Sequence, residues 1–244
     1  MQTVDILGVP FLNGTMDQLV ELLDHRLAHQ TPTFMVTANP EIMMYALKNP
    51  SYYQLLQDAD VIIPDGIGIV IGSKMLGTPI QERLAGYDLT LCLFDLAAKK
   101  GYKVYFLGAK PEVVEEAAKK MKDRYTSLDI VGYHHGYFHP DDESIIADIK
   151  RTSPDIILVG LGYPKQEQWI DRYRKRLAKG LMIGVGGTFD GLAGVVPRAP
   201  KIWRKLNLEW FYRLIQQPTR WKRMLVIPAF IARVWRERGK KSPS

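Results

Sequence analysis

Lys103-Val-Tyr-Phe-Leu107-Gly108-Ala-Lys-Pro111-Glu-Val-Val-Glu-Glu-Ala-Ala118 decides the fold. Four bulky apolar residues in a row, closed by glycine, read as a strand buried on both faces. Proline three residues later sits well at a first helical position, and the helical pattern then runs to Tyr125. The unit is therefore strand, glycine turn, helix. It recurs along the chain. Thr33-Phe-Met-Val-Thr37, Asp60-Val-Ile-Ile63, Asp155-Ile-Ile-Leu-Val159 and Leu181-Met-Ile-Gly-Val185 read as strands of the same kind, and Leu128-Asp-Ile-Val131 as a weaker one. A helix is expected from Met16 to Ala28, with leucines at 19, 22, 23 and 27 behind a Thr15 cap. Regular alternation with right-handed crossovers predicts an α/β protein with a doubly wound, mainly parallel sheet. No internal repeat or low-complexity linker interrupts it.

The pattern stops at Pro197-Arg-Ala-Pro200, and the charge changes with it. The chain of 244 residues carries 33 Lys+Arg and 26 Asp+Glu, a net +7. Residues 197–244 hold 13 of those cations against Glu209 and Glu237 alone, a net of +11, which leaves −4 for residues 1–196. Four of the five tryptophans, Trp203, Trp210, Trp221 and Trp235, lie in the same stretch. The sequence thus divides into an α/β core, 1–196, and a C-terminal helical appendage, 197–244. Helices are expected over 202–216 and from Thr219 to about Arg238, broken at Pro218 and disturbed at Pro228. With 46% hydrophobic residues the chain can bury a large core, which excludes disorder as its main state. Cys92 is the single cysteine, so no disulfide framework or Cys-based zinc cluster is expected. The N-terminus lacks a basic, then apolar, secretory pattern, and no stretch reaches the roughly 18 to 20 apolar residues of a membrane span. The expectation is a protein on the cytosolic side.

In open parallel sheets, ligands bind outside the carboxyl ends of the strands. Those ends are rich in Gly, Asn, Asp and Thr here. Gly184-Val-Gly186-Gly187-Thr188-Phe-Asp190-Gly191 follows a strand and is expected to open a helix, aiming N–H groups and the helix dipole at an anion such as a diphosphate. Its spacing is neither a P-loop nor a dinucleotide fingerprint. Purely structural glycines are the competing reading, as they are for Gly108. Asp65, between Pro64 and Gly66, could take a proton from a substrate hydroxyl, or cap the following helix. Arg83 offers a planar fork to phosphate oxygens, or is an ordinary surface arginine. Thr37 and Asn39 stand at a neighbouring strand end. Asp58-Ala-Asp60 precedes its strand and so reads as helix end and strand start, not as a metal site. His134, His135 and His139 lack metal-ligand spacing. With Tyr133 and Tyr137 they suit a polar loop lining a nucleotide pocket.

In the appendage, apolar and tryptophan residues recur at helical spacing between arginines and lysines. That is the pattern of a helix in a membrane interface. Packing on the core or on another subunit, and nucleic-acid binding, are the alternatives. The apolar run from Met224 to Ile231 favours the membrane over nucleic acid. A nucleotide-binding oxidoreductase is the remaining rival class, disfavoured by the missing dinucleotide fingerprint.

Thr37-Ala-Asn39-Pro-Glu41, Pro64-Asp65-Gly66-Ile-Gly68, Arg83-Leu-Ala-Gly86-Tyr-Asp88, Gly160-Leu-Gly162-Tyr-Pro164-Lys-Gln166-Glu167, and Gly184 to Asp190 with Pro197-Arg198-Ala-Pro200 together resemble the WecG/TagA/CpsF glycosyltransferases, family 26 of that class. The resemblance covers essentially the whole chain, and the tail points to the teichoic acid branch. It implies inverting transfer of N-acetylmannosamine from UDP-N-acetylmannosamine to the C4 hydroxyl of undecaprenyl-diphosphate-linked N-acetylglucosamine. A related member would move N-acetylmannosaminuronic acid or another UDP-linked sugar. It further implies Asp65 as general base, with Thr37, Asn39, Arg83 and Gln166 lining the active site. Gly162, Gly186, Gly187 and Asp190 fall in the matched motifs and, with Gly108 and Tyr137, complete the expected substrate-binding set. Arg213, Arg220 and Arg223 of the appendage are expected on the diphosphates. No cofactor, no metal and no nucleic-acid partner are implied, and a peripheral position on the cytoplasmic face of the membrane is. Assembly into a homo-oligomer is left open.

Overall fold

The computed structural model describes residues 1–139, 141–177, 179–200, 202–203, 208–216, 218 and 221–238. It opens with an antiparallel hairpin, β1 (Gln2–Ile6) and β2 (Val9–Asn13), which the strand-helix reading did not anticipate. Leu7 and Gly8 both have positive φ, 54° and 82°, the two-residue turn that matches strand twist. The helix α1 (Met16–Ala28) follows, its first turn closed by a capping box between Thr15 and Gln18.

Six parallel strands make the main sheet: β3 (Thr33–Ala38), β4 (Val61–Pro64), β5 (Lys103–Gly108), β6 (Asp129–His134), β7 (Ile156–Gly160) and β8 (Leu181–Gly184), in the order β4-β3-β8-β7-β5-β6. Every pairing is parallel. All six expected strands are present, the weak one shifted to start at Asp129. Successive strand residues serve opposite cores: Phe34, Val36 and Ala38 face one cluster, Met35 the other. The first face is covered by α2 (Pro40–Ala46), α3 (Pro50–Gln57), α4 (Ile67–Met75), α7 (Glu143–Thr152) and α8 (Lys165–Leu177). The second is covered by α1, α5 (Gly86–Lys100), α6 (Pro111–Arg124) and the short α9 (Thr188–Leu192). The sheet is doubly wound, as expected.

Two crevices follow from this winding. The chain leaves β3 toward the first face and its neighbour β8 toward the second. It likewise leaves β7 toward the first face and β5 toward the second. Each divergence opens a gap at the carboxyl ends. At the β5/β7 gap the backbones nearly touch: Gly108 has φ +136°, and a Cβ there would lie 2.4 Å from the Gly160 carbonyl. Gly108 is therefore required sterically, whatever it does for a ligand.

Beyond Pro200 the described helices are α10 (Glu209–Gln216), α11 (Trp221–Met224) and α12 (Val226–Arg238). The expected second helix is divided by a turn at Leu225, and Pro228 stands in the first turn of α12, where its missing N–H costs no helical bond. Residues 204–207, within the expected 202–216 helix, lie outside the described residues. α12 packs on α4 and α2, with Phe230 and Val234 fully buried. Gly72 makes room, since a Cβ there would meet Phe230 at 3.0 Å and Val234 at 3.4 Å. Burying each such side chain contributes about 1.5–3 kcal/mol. Arg198 also joins the segment to the core, pairing with Asp88 and lying 4.4 Å over the Tyr87 ring. No helix among the described residues is long and apolar enough to cross a membrane.

Candidate active site

A cleft of about 330 Å³ opens at the carboxyl ends of β3, β4, β7 and β8. Thr37, Asn39, Asp65, Arg83, Gly162, Gln166, Gly186 and Gly187 all line it. The sheet explains the convergence: segments up to 150 residues apart in sequence end side by side. Thr37, at the end of β3, is mostly buried and donates its hydroxyl to the Gly184 carbonyl at 2.9 Å. Asn39 caps α2, its Oδ1 accepting from the Ile42 N–H at 3.0 Å. The chain at Asp65 turns back onto β3 through its N–H, 2.9 Å from the Ala38 carbonyl. The cap position of the next helix, α4, is Gly66 and not Asp65. The Asp65 carboxylate instead lies beside Gly86, where a Cβ would come 3.4 Å from its Oδ2 and 3.1 Å from Thr37 Cγ2. A larger residue at 86 would press on both.

Arg83 reaches this floor because the Leu84 N–H bonds the Pro64 carbonyl at 3.1 Å. Its guanidinium stands 3.7 Å from the carboxylate of Glu209, and both side chains are mostly buried. Glu209 comes from α10, so the appendage supplies an anionic partner to the cleft's arginine. Trp210, Met224 and Ile227 also line the cleft. Sequence reasoning missed these four: a tail that returns across the strand ends leaves no local signal. It also passed over Glu41, whose Oε2 accepts from the Tyr163 hydroxyl at 3.4 Å on the cleft wall.

The glycine turn after β8 differs from the expected anion cradle. α9 has five residues, too few to carry much of a helix dipole. The Gly186 N–H is taken by Gln166 Oε1 at 3.0 Å, and the Thr188 N–H by the Val185 carbonyl at 3.2 Å. Of these three consecutive donors, the Gly187 N–H has no partner among the described residues. Gly186 itself needs its positive φ of 53°.

Gly108 and Tyr137 lie outside this cleft, over the β5/β7 crevice. There the Gly136 N–H bonds the Ala109 carbonyl at 2.8 Å, and Tyr137 is exposed. Asp190 faces Gly187 from within α9 without lining the cleft. Arg220 lies outside the described residues, as do the side chains of Arg213 and Arg223. Asp58 ends α3, and the Asp60 carboxylate accepts from the Phe34 N–H at 2.7 Å, both at the sheet's opposite end. His134 and His135 bond their own loop. Among the described residues no three His, Cys, Asp or Glu side chains gather as a metal site.

A doubly wound parallel sheet, with a carboxylate, an arginine and glycine turns at its strand ends, is the layout of an α/β group-transfer enzyme. Comparison with known sequences narrows this: residues 4–244 match the glycosyl transferase WecG/TagA/CpsF family, and the chain belongs to it. It is 40% identical over 245 residues to the N-acetylglucosaminyldiphosphoundecaprenol N-acetyl-beta-D-mannosaminyltransferase of Bacillus spizizenii, covering 100% of this chain and 95% of that one. The proteins of the same name from Bacillus subtilis strain 168 and Staphylococcus aureus strain MW2 are 40% and 41% identical. Those alignments cover 99% and 97% of this chain, and 94% of each relative. This chain is a glycosyltransferase.

Proposed function

We propose that the enzyme moves N-acetylmannosamine from UDP-N-acetylmannosamine to the C4 hydroxyl of undecaprenyl-diphosphate-linked N-acetylglucosamine, with inversion at C1. One observation carries this reading. Thr37, Asp65, Arg83 and Gln166 meet in one cleft of a chain that aligns end to end with transferases of that name. In the reaction the acceptor O4 forms a bond to C1 as the bond from C1 to the diphosphate oxygen breaks, and the hydroxyl proton passes to the Asp65 carboxylate. Negative charge then grows on the departing UDP. Arg83 and the Gly187 N–H stabilise it, and Glu209 must yield the arginine when the diphosphate arrives. Gly108 and Tyr137, at the adjoining crevice, suit the nucleoside end of the donor. Arg213, Arg220 and Arg223 add cations toward the two diphosphates. Incubation of the purified chain with candidate UDP-sugars and the lipid-linked acceptor, followed by mass spectrometry, tests the assignment. The expected product gains one N-acetylhexosamine. A product gaining an N-acetylhexosaminuronic acid, or none with any UDP-sugar, would overturn it.

Residues 197–244 serve as a membrane-docking appendage to the catalytic core 1–196, on the cytoplasmic face where UDP-sugars are made. Phe211, Ile215, Trp221, Leu225 and Trp235 of this segment are exposed while its net charge is +11. Anionic lipid contributes about 1 kcal/mol per basic residue near the surface. Co-sedimentation with vesicles containing phosphatidylglycerol is accordingly expected to be strong in low salt and to fall steeply by about 0.5 M, where the Debye length is only a few Å. Equal sedimentation with purely zwitterionic vesicles at both salt concentrations would remove the electrostatic part of this reading.

A further inference from the structure

Glu167 is the least expected side chain in the molecule. It follows Gln166 in Lys165-Gln-Glu-Gln168, which reads as the solvated start of a charged helix, yet it is completely buried. None of the ion pairs among the described residues includes it. Its Oε1 accepts from Gln166 Nε2 at 2.7 Å, while its Oε2 has no hydrogen bond of normal geometry among the described residues. The Tyr52 hydroxyl approaches from α3 without closing a bond of normal geometry. Burial raises the Glu167 carboxyl above the usual carboxylate range, and Tyr52 is pushed up in turn by burial and by that carboxyl. For stability alone, a buried carboxyl is a poor choice beside an apolar residue of similar volume.

Its use lies one residue away. A glutamine amide presents an acceptor and a donor of nearly equal shape, and its partners decide which way round it stands. At Gln166 the two partners agree. The Gly186 N–H requires the oxygen on one side, at 3.0 Å, and Glu167 Oε1 requires the nitrogen on the other, at 2.7 Å. Gly184 leaves the space for this arrangement, because a Cβ there would fall 2.6 Å from Gln166 Nε2 and 3.0 Å from Glu167 Oε1. Without an acceptor at 167, the buried Gln166 nitrogen would lose the partner it donates to. A flipped amide would oppose its NH₂ to the Gly186 N–H. Either outcome unsettles the Gly186–Gly187 turn that lines the cleft.

We infer that Glu167 is a positioning residue: its Oε1 orients the Gln166 amide, which holds the Gly186–Gly187 turn and aims the second Nε2 hydrogen of Gln166 into the cleft. The inference rests on the reading of Gln166 as an active-site residue, and four full-length variants separate the two. Gln166→Ala is expected to lower kcat at least 10-fold. Wild-type turnover there would overturn the site reading itself. Glu167→Gln keeps an acceptor oxygen in place and is expected to stay within about 3-fold of wild type. Glu167→Leu keeps the volume, removes the acceptor, and should lose at least 10-fold. In the Gln166→Ala background, Glu167→Leu should cost no more than about 2-fold further, because its route to the site is already gone. Near-normal turnover in Glu167→Leu, or losses that simply multiply, would overturn the positioning role while leaving Gln166 in the site. Should Glu167→Leu fail to fold, the unsubstituted protein still decides. With 15N-glutamine labelling, the Gln166 side-chain amide, assigned by its loss in Gln166→Ala, should exchange with water far more slowly than that of exposed Gln81. Equal exchange would overturn the inference.

Discussion

Replacing Asp65 by Asn is expected to lower turnover by about 10²- to 10⁴-fold, the range in which a positioned base contributes. Asparagine keeps the shape of the side chain, so the fit between residue 65, Gly86 and Thr37 survives. What it removes is the ability to take the acceptor proton as the new C–O bond forms. Donor binding depends on other groups, notably Arg83 and the β8 turn, so UDP affinity by calorimetry should change by less than about 3-fold. The split matters. A fall in kcat with UDP affinity intact identifies a group acting in the bond-making step. A variant retaining more than a tenth of wild-type turnover would take Asp65 out of the base role, and one losing UDP affinity in proportion would make it a binding residue.

The strand ends could be found from sequence because parallel strands buried on both faces are written as unbroken apolar runs, and the residue after each run is then a candidate by position alone. Thr37, Asn39 and Asp65 were reachable in that way, Gln166 only through the family resemblance, and all four line one cleft. The N-terminal hairpin was not reachable. Its turn needs Leu7 in a left-handed conformation that leucine does not advertise, and Pro10 in β2 argues against a strand until β2 is recognised as one arm of a two-stranded ribbon, where a missing N–H is tolerated. Two features of the site were hidden for a different reason. The Gly186 N–H looks free in a glycine-rich turn, and only the fold brings Gln166 to it. Glu209 looks like a stray acid in a basic tail, and only the tail's return over the strand ends puts it beside Arg83. Sequence pattern reports what an element buries and where it stops. Which distant side chain consumes a given donor or pairs a given cation is decided by packing.

The same return of the tail makes Phe230 the residue whose truncation should be felt most in stability. Phe230→Ala is expected to cost about 3–5 kcal/mol, the usual toll of emptying a fully buried aromatic site. The loss should be partly local. Phe230 and Val234 are the fully buried side chains of α12, so once the ring is gone little fixes that helix to α4 and α2. Limited proteolysis should therefore cut residues 197–244 faster while the six-stranded core remains protected. Turnover should fall with it. Met224 and Ile227, just before Phe230, line the cleft, and Trp210 and Glu209 come from the same segment. Trp235→Ala is the matched control, because Trp235 lies on the same helix but is 66% exposed. Its stability should change by no more than about 0.5 kcal/mol, while its vesicle binding should weaken. If both variants melt and turn over like wild type, α12 is not what completes the cleft. If Phe230→Ala melts early but keeps full turnover, the appendage supports the fold without contributing to the chemistry.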